Sequence, residues 1–121
     1  MHKCVLIVDD ELNNRKLARD LLQILGVSTI EAMNGREGID RALQDKPDLI
    51  LMDIQMPLMD GIQAIQWLKS NTETQHIPIV VLTSCAMVGD EERVTLAGAD
   101  HYLTKPIDTR QFMTLIKEIL G

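Results

Sequence analysis

The fold is inferred first from the segment Asp48-Leu-Ile-Leu-Met-Asp53-Ile-Gln-Met-Pro57-Leu-Met-Asp-Gly61-Ile62. Its apolar run, Leu49 to Met52, is too short for a helix and is typical of a buried strand in a parallel sheet. The run ends on the carboxylate of Asp53, and Pro57 then prevents a regular continuation until a helical pattern begins at Gly61. Open α/β sheets place their chemistry at the carboxyl ends of such strands. Asp53 is therefore either a functional acid or only a residue that ends the strand, and the rest of the chain decides between the two.

Strands and helices alternate along the whole chain of 121 residues. Apolar runs predict buried strands over residues 4–8, 49–52 and 79–82, and shorter, weaker patterns predict strands over residues 28–32 and 101–104. Apolar residues at helical spacing predict five helices between and after them. The expected buried faces are Leu17, Leu21, Leu22 and Leu25; Ile39, Ala42 and Leu43; Ile62, Ile65 and Leu68; Val94, Leu96 and Ala97; and Phe112, Leu115, Ile116 and Ile119. The fourth helix has the fewest apolar positions and is expected to be the least firmly anchored.

The helix boundaries and the alternation together define the expected architecture. Asn13 or Asn14 is expected to cap the first helix and Gly26 to end it, and Asp108 or Thr109 is expected to cap the last helix. Strand–helix units in this order predict an α/β fold, in which a parallel sheet is covered by helices on both faces. No linker, repeat or low-complexity segment interrupts the pattern, so residues 1–121 are predicted to form a single domain.

Composition and charge narrow the range of functions. The net charge is −6 and aromatic residues make up only 2%. Without a cluster of Lys and Arg or a set of stacking rings, nucleic-acid binding is not expected. No apolar run has the length of a membrane span, and Met1 leads into a strand without a signal peptide, so we expect a cytoplasmic protein with no membrane contact. Cys4 and Cys85 are expected to lie too far apart for a disulfide, which fits a reducing compartment.

Polar residues gather where the predicted strands end. The carboxyl ends of parallel strands meet at one edge of a sheet, so the residues that follow them should lie together there. These residues are Asp9, Asp10, Asp53, Thr83 and Lys105. Two carboxylates 4 Å apart repel each other by about 4 kcal/mol at an effective dielectric constant of 20, so the cluster must take up protons or bind a cation. Hard oxygen ligands favour Mg²⁺, with Mn²⁺ as a second choice.

These groups are also suited to hold a phosphoryl group. A metal, a lysine and a hydroxyl can together bind its three oxygens, and Asp53 is then the candidate nucleophile that forms an aspartyl-phosphate. Other phosphate sites fit less well, since the chain has no Gly-x-x-x-x-Gly-Lys-Ser/Thr and no Gly-x-Gly-x-x-Gly after its first strand. A flavodoxin-like cofactor site would need a hydroxyl-rich loop where this chain has Asp9-Asp10-Glu11.

In these respects the chain resembles the receiver domains of response regulators in two-component signalling. The resemblance covers essentially the whole chain, and it rests on Ile7-Val-Asp9-Asp10-Glu11, Asp53-Ile-Gln-Met-Pro57-Leu-Met-Asp60-Gly61, Val81-Leu-Thr83-Ser84 and Tyr102-Leu-Thr-Lys105-Pro106. Each motif alone is weak, but all four in this order and at these separations are highly specific. The resemblance implies a flavodoxin-like (βα)5 three-layer sandwich with strand order 2-1-3-4-5.

The resemblance also implies a role for each residue at the sheet edge. Asp53 would accept a phosphoryl group from the phosphohistidine of a histidine kinase or of a histidine phosphotransfer protein. Mg²⁺ would be held by Asp10, Asp53 and the backbone carbonyl of Gln55, with Asp9 acting directly or through water. Lys105 would pair with the phosphate.

Further positions would modulate this chemistry. Thr83 would move toward the phosphoryl oxygen and Tyr102 would turn inward with it, although the residue type alone predicts for Tyr102 only a half-buried aromatic at the sheet edge. We expect Gln55 and Cys85 to flank the path of the hydrolytic water and to set the lifetime of the phosphate, because the family places these positions there. The Lys105–Pro106 peptide is often cis in the family.

The expected protein is a stand-alone response regulator, since 121 residues leave no room for an output domain and Glu11-Leu-Asn-Asn-Arg15 resembles phosphorelay receivers. It would be a phosphoacceptor rather than an enzyme with a separate substrate. Its output would be contact with a downstream protein through the face of residues 90–120, as a monomer or a weak phosphorylation-dependent dimer. One alternative is an excised receiver of a hybrid histidine kinase. The other is a metal-dependent phosphohydrolase with an Asp nucleophile, a class that needs a second acid where this chain has Gln55.

Overall fold

The computed structural model describes residues 3–54, 61–83 and 90–121, and in the last range the side chains from residue 92 onward. Within these residues strands and helices alternate. The strands are β1 (Cys4–Val8), β2 (Ser28–Ala32), β3 (Leu49–Asp53), β4 (Ile79–Thr83) and β5 (His101–Thr104). The helices are α1 (Leu12–Ile24), α2 (Gly35–Asp45), α3 (Gly61–Ser70), α4 (Asp90–Ala97) and α5 (Thr109–Leu120).

The strands form one parallel sheet in the order β2-β1-β3-β4-β5. The predicted α/β class and the strand order 2-1-3-4-5 are therefore confirmed. The register places Asp53 beside Leu82 and Thr83 beside Thr104. The last residues of β3, β4 and β5 consequently lie at the same edge of the sheet, which is where the candidate site is built.

Alternating side chains of the buried strands enter two separate hydrophobic cores. In β1, Leu6 and Val8 pack in the core on the side of α2, α3 and α4, whereas Val5 and Ile7 pack in the core on the side of α1 and α5. Burying one such side chain fully contributes about 1.5–3 kcal/mol, so packing on the sheet rather than helix propensity holds the helices in place. Phe112 on α5 is fully buried and is the largest side chain of the second core.

Two predictions for α1 are wrong. The residue before the helix is Glu11, whose side chain makes no capping bond, so Asn13 and Asn14 lie inside the helix and do not cap it. The helix begins early because the Glu11 carbonyl already accepts the first helical hydrogen bond, from the Arg15 N–H at 3.1 Å. Leu17, predicted on the buried face, is 42% exposed. The buried face instead contains Arg15 with Ala18, Leu21 and Leu22.

The other predicted helix ends agree with the structure. Gly26 follows α1 with a φ of 76°, the left-handed conformation that favours glycine. Asp108 caps α5, where its carboxylate accepts a hydrogen bond from the Gln111 N–H at 3.1 Å. Asn34 also caps α2, since its side chain accepts a hydrogen bond from the Glu37 N–H at 2.8 Å.

Helix α4 rests on the sheet through few of its described side chains. Val94 and Ala97 are buried as predicted, but Leu96 is 80% exposed, so its assignment to the buried face is wrong. Helical spacing alone does not fix which side of a short helix faces inward. None of the described helices combines the length and the apolar composition that a membrane crossing requires.

Candidate functional site

Three acidic side chains converge at the carboxyl edge of the sheet. Asp9 follows β1 directly, Asp10 comes next, and Asp53 is the last residue of β3. One carboxylate oxygen from each lies within 4.8 Å of the others. Asp9 and Asp53 are buried, at 3% and 7% exposure, whereas Asp10 is exposed. The structure thus brings together the three acids that the sequence placed at neighbouring strand ends.

Lys105 supplies the positive charge of this cluster. It follows β5, and its Nζ lies 2.9 Å from Asp9 Oδ2 and 3.5 Å from Asp53 Oδ2. Its backbone N–H donates to the Thr83 carbonyl at 2.8 Å, which joins the ends of β4 and β5. Burial lowers the pKa of Lys105, but the hydrogen bond to Asp9 and the negative charges of Asp53 and Asp9 outweigh this effect, so the pKa is raised. The sequence reasoning placed Lys105 at the site but assigned it only to a phosphate, not to these two acids.

Asp9 is held at four points. Its Oδ2 accepts from Lys105, and its Oδ1 accepts from the Glu11 N–H at 3.0 Å. Its own N–H donates to the Ala32 carbonyl at 3.1 Å, and its carbonyl accepts from Arg15 Nη1 at 2.7 Å. Both the backbone and the carboxylate of Asp9 therefore have a defined direction.

The donor set of this cluster fits a divalent cation. Three carboxylates and one ammonium leave two net negative charges, which a divalent cation neutralises. All the donor atoms are oxygens, which hard cations such as Mg²⁺ prefer. Both oxygens of Asp9 already accept hydrogen bonds from the protein, one from the Glu11 N–H and the other from Lys105 Nζ. Gln55, the other predicted ligand, lies outside the described residues.

The predicted switch residues lie on β4, which pairs with β3, and on β5, which pairs with β4. Thr83 ends β4 and is fully buried. Tyr102 lies beside Val81 in the sheet, is half-buried, and packs against the core on the side of α4. This is the half-buried aromatic at the sheet edge that the residue type alone predicts. The Lys105–Pro106 peptide is cis, and Cys85, expected to act on the phosphate lifetime, lies outside the described residues.

Gly61 contacts the backbone of the central acid, a role that sequence reasoning missed. Its N–H donates to the Ile54 carbonyl at 3.2 Å. A methyl group on Gly61 would overlap the Asp53 carbonyl oxygen and would lie 2.5 Å from Ile54 Cα. The start of α3 can therefore approach the end of β3 only because this residue has no side chain. The available signal was Gly61 itself, which was interpreted only as the residue at which a helical pattern begins.

A buried arginine beside the site was also missed. Arg15 is 8% exposed, and it contacts both the Asp9 carbonyl and Glu31 on β2. A charged residue in a helical pattern is ordinarily assigned to the exposed face, so the periodicity gave no indication of its burial.

Comparison with known protein families agrees with this geometry. Residues 5–117 match the family model of the response regulator receiver domain. The chain belongs to the response regulator receiver family. This receiver domain is 46% identical, over 121 residues, to the polar-differentiation response regulator DivK of Brucella anthropi, an alignment that covers all of this chain and 98% of DivK.

Solved receiver structures have the same fold. A putative response regulator from Chloroflexus aurantiacus superposes with a TM-score of 0.94 at 26% identity, covering 99% of this chain and 98% of the other. The receiver domain of a sensor histidine kinase from Pseudomonas aeruginosa superposes with a TM-score of 0.91 at 27% identity, covering both chains completely. That second structure holds a magnesium ion in its active-site cleft. The chain is thus a receiver of two-component signalling, a family that works with histidine kinases and downstream targets.

Proposed function

We propose that this receiver is a stand-alone, single-domain response regulator that accepts a phosphoryl group on Asp53. The donor is a phosphohistidine, on a histidine kinase or on a histidine phosphotransfer protein. The observation that carries the proposal is the position of Asp53 at the end of the central strand, within 4.8 Å of two further acids and 3.5 Å from Lys105 Nζ. The stand-alone form is supported by the alignment with DivK, which covers 98% of that regulator.

A divalent cation is part of this proposal. Asp10, Asp53 and the backbone carbonyl of Gln55 would hold Mg²⁺, with Asp9 contributing through water, and Mn²⁺ would serve in its place. When bound, the ion neutralises charge on the phosphoryl oxygens and on the acids. Support for this assignment comes from the all-oxygen donor set and from the two net negative charges of the cluster.

The transfer itself needs two groups from the protein, a nucleophile and a positively charged side chain near the phosphoryl oxygens. A carboxylate oxygen of Asp53 forms a bond to phosphorus while the P–N bond of the phosphohistidine breaks, and the imidazole nitrogen keeps the electron pair and takes up a proton. Lys105, now paired with Asp9 and Asp53, donates to a phosphoryl oxygen as charge moves from the Asp53 carboxylate onto the phosphate. The Thr83 hydroxyl then provides a second donor.

The output is contact with a downstream protein through the face of residues 90–120. Thr83 and Tyr102 would move together on phosphorylation, which adds nearly two negative charges beside α4. Tyr102 borders two open clefts, one of about 390 Å³ between β5 and α5 and one of about 270 Å³ between α4 and β5, so there is space on both sides of β5 for a change at this face. The regulator acts as a monomer or a weak phosphorylation-dependent dimer, with Gln55 and Cys85 setting the phosphate lifetime.

Phosphorylation with acetyl phosphate and Mg²⁺, followed by mass spectrometry, tests the proposal. We expect the wild type to gain one phosphoryl group on Asp53 and to lose it slowly. Asp53→Asn should gain none while its circular dichroism spectrum is unchanged, because Lys105 keeps Asp9 as a partner at 2.9 Å. Asp45→Asn, which alters an exposed pair on α2, is the matched control and should be phosphorylated normally. Continuous release of phosphate would instead identify a phosphohydrolase, and phosphorylation of Asp53→Asn would refute the assignment.

A further inference from the structure

Three charged side chains on α1 and β2 form a connected series beside the acidic cluster. Arg15, in the first turns of α1, is 8% exposed, a degree of burial that arginine rarely reaches unless it is paired. Its Nη1 donates to the Asp9 carbonyl at 2.7 Å, and its Nε donates to Glu31 Oε1 at 3.0 Å. One guanidinium therefore connects helix α1, strand β2 and the end of strand β1.

Glu31 is oriented in turn by a second arginine. It lies on β2 beside Ile7, so its side chain points to the same side of the sheet as α1. Arg19 Nη1 lies 3.2 Å from Glu31 Oε2, one helical turn beyond Arg15. The connected groups thus run from Arg19 through Glu31 and Arg15 to the backbone of Asp9, and both oxygens of Glu31 are bonded.

The contact made by Arg15 falls on the peptide that joins the two acids of the metal site. The Asp9 carbonyl belongs to the peptide linking Asp9 to Asp10, so fixing this oxygen fixes the direction in which Asp10 leaves the strand. The bond to Arg15 is charge-assisted and short, and the planar guanidinium keeps its two donors at a set angle. A lysine has the same charge but only one nitrogen, so it cannot hold the two acceptors from two donor atoms at this fixed angle.

We propose that Arg15, held by Glu31, is a positioning residue that aims the carboxylates of Asp9 and Asp10 at the divalent cation. This inference rests on the proposed metal-dependent function. The competing explanation is that Arg15 only fastens α1 to β2 and has no effect on the metal site. The two explanations differ in a measurable way, because only the positioning role predicts a change in Mg²⁺ affinity in a variant that is fully folded.

Arg15→Lys is the most informative variant. It keeps the positive charge, so the electrostatic attraction of the acids for Mg²⁺ is unchanged. It removes the guanidinium that donates at a fixed angle to both the Asp9 carbonyl and Glu31. We expect Mg²⁺ to bind about ten-fold more weakly, the lower end of the loss that follows when the residue supporting a metal ligand is changed. Glu31→Gln keeps Arg15 and loosens its orientation, so it should weaken Mg²⁺ in the same direction by a smaller factor.

The binding is measured on the full chain by calorimetric titration with MgCl₂ at constant ionic strength, with urea unfolding run in parallel. A second readout is the Mg²⁺ dependence of phosphorylation by acetyl phosphate. The positioning role predicts that the half-saturating Mg²⁺ concentration rises while the rate at saturating Mg²⁺ stays near that of the wild type. Arg41→Lys, which alters an exposed pair with Asp45 on α2, is the matched control and should change neither quantity.

The outcomes separate this inference from the proposed function. If the wild type binds Mg²⁺ and Arg15→Lys binds it equally well, with or without a loss of stability, the positioning role is refuted and the proposed function stands. If the wild type binds no Mg²⁺, the metal-dependent function fails and the inference fails with it. If Arg15→Lys does not fold, Glu31→Gln carries the test, and unchanged Mg²⁺ affinity in that variant overturns the role.

Discussion

Gly61→Ala would test whether the start of α3 sets the position of Asp53, the proposed phosphoacceptor. The added methyl group has no space, since it would overlap the Asp53 carbonyl oxygen and lie 2.5 Å from Ile54 Cα. These neighbours are backbone atoms, which cannot rotate away as a flexible side chain can. Either α3 or the end of β3 must therefore move.

The size of the effect follows from these contacts. Ordinary contacts of a methyl carbon begin at 3.4 Å, so relief of the overlap requires a displacement of about 1 Å, and overpacking of this kind costs about 1–3 kcal/mol. The higher helix propensity of alanine stabilises the variant by less than about 1 kcal/mol, because that full difference applies in a helix interior and Gly61 is the first residue of α3. A shift of about 1 Å at a reacting group can slow the chemical step by about 100-fold. We therefore expect a modest loss of stability, about 1–2 kcal/mol, and a much larger loss of phosphorylation rate.

The assay is the rate of phosphoryl uptake from acetyl phosphate at saturating Mg²⁺, with stability from urea unfolding. Gly38→Ala is the matched control, because its methyl group would also be overpacked, at 2.9 Å from Val8 Cγ2. That neighbour is the end of a side chain in the core, so Gly38→Ala should lose stability with little change in rate. Phosphorylation of a folded Gly61→Ala variant at the wild-type rate would show that this backbone contact does not position Asp53.

Three further predictions concern single side chains. Without metal, the free energy of unfolding of the wild type relative to Lys105→Met should be constant from neutral pH to pH 10.5, the ordinary pKa of lysine. It should fall at higher pH, because the hydrogen bond to Asp9 and the negative charges of Asp53 and Asp9 raise the pKa of Lys105 in the folded state; a constant difference in urea unfolding up to pH 12 would contradict this. Lys69→Met should lower the free energy of unfolding by about 1.5–3 kcal/mol through loss of charged hydrogen bonds, including that to Asp100 at 2.9 Å, and should leave the rate of phosphorylation unchanged. Leu96→Gln should change the free energy of unfolding by less than about 0.5 kcal/mol, as expected for a surface substitution at a residue 80% exposed, and a larger loss would show that Leu96 is packed.

The sequence predicted most of the fold because the buried strands are apolar throughout and each is followed by a turn signal. The gathering of Asp9, Asp53 and Lys105 also followed from the sequence, since a parallel sheet brings all its carboxyl ends to one edge. Two positions remain predictions from the family, because both residues lie outside the described part of the structure. They are Gln55 next to the metal and Cys85 next to the phosphate site.

The rest depended on contacts between distant parts of the chain. Arg15 and Glu31 are separated by 16 residues and lie on different elements, so no local periodicity relates them. Leu17 and Leu96 matched helical spacing, yet both are exposed, because the spacing of a few leucines is compatible with more than one orientation of a helix. The close approach of Gly61 to Asp53 likewise depends on how α3 meets β3, which the sequence does not encode locally.

The ion pair between Asp9 and Lys105 joins residues that are 96 positions apart. During synthesis the first strand and its acids leave the ribosome long before the lysine that balances them, and β5 is the last strand to be made. The pairing of Lys105 with Asp9 and Asp53 therefore cannot form until the final strand has joined the sheet. On the proposed function, a nascent chain that contains Asp53 but lacks β5 would have no Lys105 to bind the phosphoryl group, so completion of the fold and readiness to accept it would occur in the same step.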